Sequence, residues 1–375
     1  MRVADVQVLT QWTVNLQEFP VSSIYCAESS SSLAGKINNA VVRRLQPVRN
    51  RFTLPSYVVR RLRRQIKTRT PDLIYCIFGW NASQLLDVLD SDGCRGVPFV
   101  FLAGGSDINA AASLGPEYLK RLRGAFDRAA LILCGSQFLM SKVLQAGAPA
   151  SKVRLHYIGR TIPTSKQMSD LWQRDDFKIL AVSRLSPVKG VRHTVAAFAK
   201  VCAEMPNSIL EIIGEGEEME ACRDLAKALN VSQRVHFKGS QSIADVYTAM
   251  RSADLLVQHN VRTADGQEES IPGSTIEASA HGLPVIGTRS GGVNEIVVDG
   301  ETGLLVEPGD ENSMAESMLR LYRDPELRSR YGRAGRERAK RLFDMEKQNN
   351  KLEQMLLEVC GHTSIAPGMH TQPLL

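Results

Sequence analysis

Short apolar runs alternate with stretches of helical spacing along most of the chain, most regularly after Asp176. "FKILAVS" (177–183), "SILEIIG" (208–214), "RVHFKG" (234–239), "ADLLVQ" (253–258), "PVIG" (284–287) and "GLLVE" (303–307) read as strands. Between them the spacing predicts helices over 189–204, 217–229, 242–251, 274–282 and 293–297. Regular alternation of this kind means right-handed βαβ units and a parallel sheet covered on both faces. The first half repeats the rhythm more loosely. Strands are predicted at 72–78, 97–103, 130–135 and 152–157, with helices near 81–91, 116–127 and 136–146. "GRTIPTSKQMSDLWQRDD" (159–176) has neither period and reads as a linker.

The expected fold class is therefore α/β, with two doubly wound lobes facing one another across a cleft. The lobes are placed at 1–160 and 177–343, followed by a closing helix at 344–360 and a loose tail at 361–375. Ligands of such sheets sit in the crevice at the carboxyl ends of the strands. A length of 375 residues fits two domains. With 43% hydrophobic and 23% charged residues the composition is that of an ordinary globular chain.

No apolar run approaches the ~18–20 residues that span a bilayer, and "MRVADVQVLTQW" turns acidic and polar too early for a signal peptide. Seven scattered cysteines without a C-x-x-C pair fit reduced thiols, not a disulfide frame or a zinc site. A cytoplasmic address follows as the expectation. Charge changes the picture in one place. Ten basic residues and no acid lie between Arg43 and Arg69, against a net charge of +6, which leaves about −4 for the remainder. Interleaved with Val41, Val42, Leu45, Val58, Val59, Leu62 and Ile66, they suggest amphipathic helices. Such a segment is either a solvated basic face or a rest for an anionic membrane surface or substrate. Nucleic acid is not expected, since no recognition module or set of interleaved stacking aromatics accompanies the patch.

The chemistry concentrates in "EESIPGSTIEASAHGLPV" (268–285). Pro272 and Gly273 end a loop, Ser274 reads as an N-cap, and a short helix runs to Gly282. Backbone N–H groups of Gly273, Ser274 and Thr275, with the positive end of the helix dipole, suit phosphate oxygens. Glu277 lies three residues after Ser274 and reads equally as a capping-box partner. "SRLSPVKG" (183–190) places Arg184 and Lys189 at a strand's carboxyl end, either as a surface pair or as two cations straddling a diphosphate. Gly214 and Gly216 of "IIGEGE", and the glycines of "RSGGVNEI", allow close packing at neighbouring strand ends.

Together these segments, with the Glu269/Glu277 spacing followed by "GLPVIGT" and "GLLVEPGD", resemble the nucleotide-sugar lobe of family 4 (group 1) glycosyltransferases over about 178–345. "IFGW" (77–80), "FLAGGSDI" (101–108) and 136–159 resemble, more thinly, the acceptor lobe of polysaccharide-building members. The resemblance implies the two-lobed GT-B fold and sugar transfer with retention, from a UDP-sugar or a GDP-sugar to a saccharide or lipid-linked acceptor, at the inner membrane face. It implies no cofactor and no metal ion. Arg184 and Lys189 would neutralise the departing diphosphate, Glu277 would bind the ribose hydroxyls, and Glu269 would sit beside the sugar. Gly105 and Asp107 would lie on the acceptor side.

Three departures stand out. Gly104 replaces the His often found before "SDI", "YIGRTIP" lacks the acid that often follows its glycine, and the first glycine of the chain is Gly35, so no Gly-rich loop opens the first lobe. Two further readings follow from the residues: a sugar-nucleotide-binding protein without transferase activity, and a nucleotide-sugar epimerase of the same architecture.

Overall fold

The computed structural model describes residues 7–10, 23–26, 56–69, 71–91, 93–109, 111, 113–164 and 176–361. The readings made for the rest lie outside the described residues; they include 43–55 of the basic stretch, 165–175 of the linker and the tail after 361.

Strands β1 (Gln7–Thr10) and β2 (Ser23–Cys26) pair in parallel as a separate ribbon. The first lobe has a four-stranded parallel sheet of β3 (Ile74–Ile77), β4 (Phe99–Ala103), β5 (Leu131–Cys134) and β6 (Val153–Leu155), in sequence order. Helices α1 (Ser56–Arg69), α2 (Gly79–Leu89), α3 (Ser106–Asn109), α4 (Pro116–Arg128) and α5 (Gln137–Gln145) connect it. In α1 the apolar positions fall on one face: Val59, Leu62 and Ile66 are buried against Val88 and Cys94. Arg60, Arg61, Arg64 and Lys67 are left exposed.

The second lobe has six parallel strands: β7 (Phe177–Val182), β8 (Ser208–Ile213), β9 (Val235–Gly239), β10 (Leu255–Gln258), β11 (Val285–Thr288) and β12 (Gly303–Val306). Their spatial order is β12-β11-β10-β7-β8-β9. Successive residues feed opposite faces. Ile179, Ala181, Leu210, Ile212, Leu255 and Val257 join one core, while Leu180, Leu256, Ile213 and Val285 join the other. This burial on both faces is what the near-continuous apolar strands require. Helices α6 (Val191–Val201), α7 (Met219–Ala228), α8 (Ile243–Arg251), α9 (Gly273–Ala280), α10 (Val293–Ile296) and α11 (Glu311–Arg323) cover the two faces.

After α12 (Pro325–Leu342), the closing helix α13 (Met345–Val359) returns to the first lobe. Its Leu352, Met355, Leu356 and Val359 pack on Val100, Leu131 and Leu133, the face of the first sheet turned away from α4. The crossing is hydrogen-bonded to the outgoing one: Arg160 N–H donates to Phe343 O at 2.7 Å and Met345 N–H to Arg160 O at 3.1 Å.

Candidate functional site

In the second sheet the chain leaves β7 for β8 on one side and reaches β10 on the other, so the order reverses between β7 and β10. Loops that leave two neighbouring strands in opposite directions open a crevice at that switch point. The loop after β7 carries Arg184 and Lys189, and the loop after β10 carries Glu269 and runs into α9. Val261 N–H donates to Val188 O at 3.0 Å and ties the two loops together.

At their junction the Lys189 ammonium meets the Glu269 carboxylate, both side chains less than one-fifth exposed. The backbone of Glu269 is fixed from behind by the double glycine of "RSGGVNEI". Gly292 N–H donates to Glu269 O at 3.1 Å, and a Cβ on Gly291 would lie 1.7 Å from that same oxygen. Gly214 and Gly216 do comparable work one strand over. Their missing side chains admit the backbone oxygens of Ser183 and Leu185, so they shape the loop that bears Arg184. Arg184 itself is three-quarters exposed and 3.5 Å from Glu217.

Helix α9 starts at Gly273 with Pro272 as its N-cap and no side-chain cap. The expected capping role of Ser274 is not what forms. Ser274 and Thr275 hydroxyls both donate to Gln258 Oε1, at 3.1 and 2.8 Å, because the end of β10 puts an acceptor beside them. The N–H groups of the first turn are therefore left for another partner, as at any uncapped helix start. Glu277 makes no capping box. Its carboxylate is 2.9 Å from Arg160 Nε, an ion pair with the segment between the lobes. Burial pushes the Glu277 carboxyl above its ordinary pKa, and Arg160 opposes that shift. Sequence reasoning read this segment as a linker that lacks an acid. The arginine in its place was the available signal.

The first lobe meets this crevice closely. Asn109 Nδ2 donates to Glu268 O at 2.8 Å, and a Cβ on Gly105 would lie 2.8 Å from Ser270 Oγ. Glu295 of α10, which sequence reasoning passed over, accepts from the N–H groups of Gln137 and Phe138 at 2.8 and 2.9 Å and from Tyr157 Oη at 2.9 Å. A carboxylate of one lobe thus caps a helix of the other. Asp107 is fully buried, accepts from Gly104 N–H at 3.0 Å and from Gly79 N–H through Oδ2, and leaves Oδ1 unpartnered. Burial pushes its carboxyl up. Beside it, a Cβ on Gly104 would lie 2.2 Å from the Phe78 ring, so that aromatic fills the space a larger residue would take.

Between the loops, Asn260 is fully buried with neither side-chain polar atom partnered, and Gln258 Nε2, Ser270 Oγ and Ser290 Oγ are likewise buried and orphaned. Buried polar groups of this kind ordinarily have a partner. A separate concavity of about 770 Å³ lies on the flank between α6, α7 and residues 261–264 and is lined by none of the residues predicted for the site. Among the described residues, no three His, Cys, Asp or Glu side chains gather in a way that could hold a metal ion.

Residues 165–338 match the family model described as Glycosyl transferases group 1. N-acetyl-alpha-D-glucosaminyl L-malate synthase of Bacillus anthracis is 29% identical over 262 residues, 68% of this chain and 66% of that protein. The GDP-mannose-dependent monoacylated alpha-(1-6)-phosphatidylinositol monomannoside mannosyltransferase of Corynebacterium glutamicum is 34% identical over 176 residues, 46% of this chain and 45% of its own length. The chain spans less than two thirds of either relative. Among solved structures, Anabaena HepE in complex with UDP-glucose matches with a TM-score of 0.72 at 20% identity, over 94% of this chain and 91% of that one. Sucrose-phosphate synthase from Thermosynechococcus elongatus matches at 0.70 and 21% identity, over 81% and 78%. At these identities the fold is what is shared.

Proposed function

Starting from a chain that carries a group 1 glycosyl transferase domain over residues 165–338 in a two-lobed GT-B fold, we propose that it is a glycosyltransferase. It takes a sugar from a nucleotide-sugar donor and passes it, with retention of configuration and without a metal ion, to a saccharide or lipid-linked acceptor. The observation that carries this reading is the Lys189–Glu269 pair at the switch point, next to the uncapped start of α9. Cleaving the bond between a sugar's anomeric carbon and a diphosphate leaves negative charge on the departing oxygens. Lys189, the N–H groups of Gly273, Ser274 and Thr275, and Arg184 on its exposed loop are the donors that meet that charge. In this reading Glu277 accepts from the ribose hydroxyls and Glu269 lies beside the donor sugar.

A thermal-shift screen with UDP-, GDP- and ADP-sugars tests the proposal. UDP-sugars are expected to stabilise the protein most, with GDP-sugars the other option, since a binder of the folded state alone raises its apparent stability. No stabilisation by any of the three would defeat it.

The acceptor side is read as lipid-linked because α1 presents Arg60, Arg61, Arg64 and Lys67 on its exposed face. No described helix is long and apolar enough to cross a membrane, so contact would be peripheral, at the cytoplasmic surface. Replacing those four residues by Gln should abolish flotation with anionic vesicles and leave neutral vesicles unaffected. Unchanged flotation removes the membrane role. Arg63 is better left in place, because its guanidinium bonds Asp87 O and holds α1 to α2.

The Phe78 ring over Gly104 favours a second reading, a protein that binds a sugar nucleotide without transferring it. Donor hydrolysis in the absence of acceptor would exclude that alternative.

A further inference from the structure

Arg160 belongs to the segment between the lobes. Its backbone is pinned on both sides by the closing crossing, through Phe343 O and Met345 N–H. From there the side chain reaches the first turn of α9, and each edge of the guanidinium faces something different. Nη1 donates to Gly159 O at 3.0 Å, Nε meets Glu277 at 2.9 Å, and Nη2 lies over Gly273, where a Cβ would come within 2.5 Å of it. The absent side chain of Gly273 therefore makes room for a guanidinium at the start of the helix. Only 27% of the Arg160 side chain is exposed.

We propose that Arg160 is a donor-binding residue: one edge of its guanidinium holds the Glu277 carboxylate and another takes a phosphate oxygen of the bound nucleoside diphosphate. This rests on the nucleotide-sugar reading of the crevice. Two further observations support it. Gln258 of β10, 4% exposed, ties the Ser274 and Thr275 hydroxyls with its oxygen and leaves Nε2 unpartnered beside that first turn. The charges also balance in a way that suits a diphosphate. Each carboxylate of the Glu269/Glu277 pair has its own cation, Lys189 for one and Arg160 for the other. Without Arg160, a bare carboxylate would stand beside the phosphates at a helix end that favours anions. A planar fork can serve a carboxylate and a phosphate at once, which an ammonium cannot do in one fixed geometry.

Calorimetry on the full chain, with the nucleoside diphosphate that the unaltered protein binds and with the corresponding free nucleoside, separates the possibilities. Arg160→Gln is expected to weaken the diphosphate about 10- to 100-fold, the usual size of a charge-assisted contact. The nucleoside should change less than about 3-fold on the same scale. Arg160→Lys should recover part of the loss. Gly273→Ala, which crowds Nη2 without touching the crossing, should also lose diphosphate affinity, and the double variant Arg160→Gln/Gly273→Ala should lose little more than Arg160→Gln alone, whereas additive losses would mean that Gly273 acts without Arg160. Equal losses for diphosphate and nucleoside would mean that Arg160 only orients Glu277, and no loss would mean that it does neither; both overturn the proposal. Failure of the unaltered protein to bind any nucleoside diphosphate would instead overturn the reading of the crevice itself.

Discussion

Lys189→Met is expected to lower kcat/KM about 30- to 1,000-fold, equivalent to ~2–4 kcal/mol of transition-state stabilisation. The ammonium has two tasks in the proposed reaction. It faces Glu269 in the resting protein, and it meets the negative charge that grows on the leaving diphosphate. A purely structural pairing would be repaired by removing both partners, because the penalty of the single change is the uncompensated carboxylate left behind. The double variant Lys189→Met/Glu269→Gln should therefore regain the thermal midpoint of the unaltered protein while its turnover stays well below that of Glu269→Gln alone. Turnover in the double variant equal to that of Glu269→Gln would show that Lys189 serves the fold alone. The measurement needs donor saturation curves for all four proteins, so that a loss in kcat is separated from one in KM.

A loss of stability of up to ~3 kcal/mol is expected between pH 6.5 and 4 from His259 alone, at 1.36 kcal/mol per pH unit of displacement. This imidazole follows β10 and is fully buried. Burial, reinforced by the neighbouring His193, pushes it down to about 4, with Glu311 and Asp310 acting the other way. Its neutral form is built into the fold. Gly309 N–H donates to Nε2 at 2.8 Å, so Nε2 is the bare nitrogen, and Nδ1 faces Met314 Sδ at 3.0 Å. Below pH 6.5 the unfolded chain takes up a proton that the folded chain refuses until about pH 4. Stability is therefore complete above that window and falls as acid is added through it. Burial also lowers His156 and His281, which contribute with the same sign. The informative quantity is thus the difference from His259→Gln, which should flatten the decline in denaturant midpoint between pH 7 and 4.5. Parallel declines would show that His259 is not responsible.

Much of this arrangement was legible in local pattern. Every strand expected from 72 onward forms within a few residues of its predicted bounds, because apolar runs flanked by glycine and charge leave little choice of where to bury. A crevice at the carboxyl ends of the strands was legible too, since Glu269 and Glu277 flank one helix start, but the order β12-β11-β10-β7-β8-β9 that puts the reversal between β7 and β10 was not. What stayed hidden depends on partners distant in sequence. Ser274 has the chemistry of a cap, yet the end of β10 supplies a better-placed acceptor and takes its hydroxyl. Glu277 has the spacing of a capping box, yet a guanidinium from another segment reaches it first. Glu295 looks like an ordinary surface acid in "GGVNEI" until the lobes meet and α5 presents its open N–H groups to it. Gly104 reads as a missing histidine. In three dimensions its place is already taken by Phe78, which adopts φ 73 there. Fold followed from periodicity, whereas these contacts follow from docking.

The outgoing and returning crossings lie side by side and are stitched at Arg160, Phe343 and Met345. If one half swings against the other, the paired hydrogen bonds at Arg160 tie the described ends of the two crossings together like the leaves of a hinge. The residue on that hinge is also the one whose side chain reaches Glu277. In the proposed reading, a twist at the joint would therefore be felt at Glu277 as a displacement of positive charge.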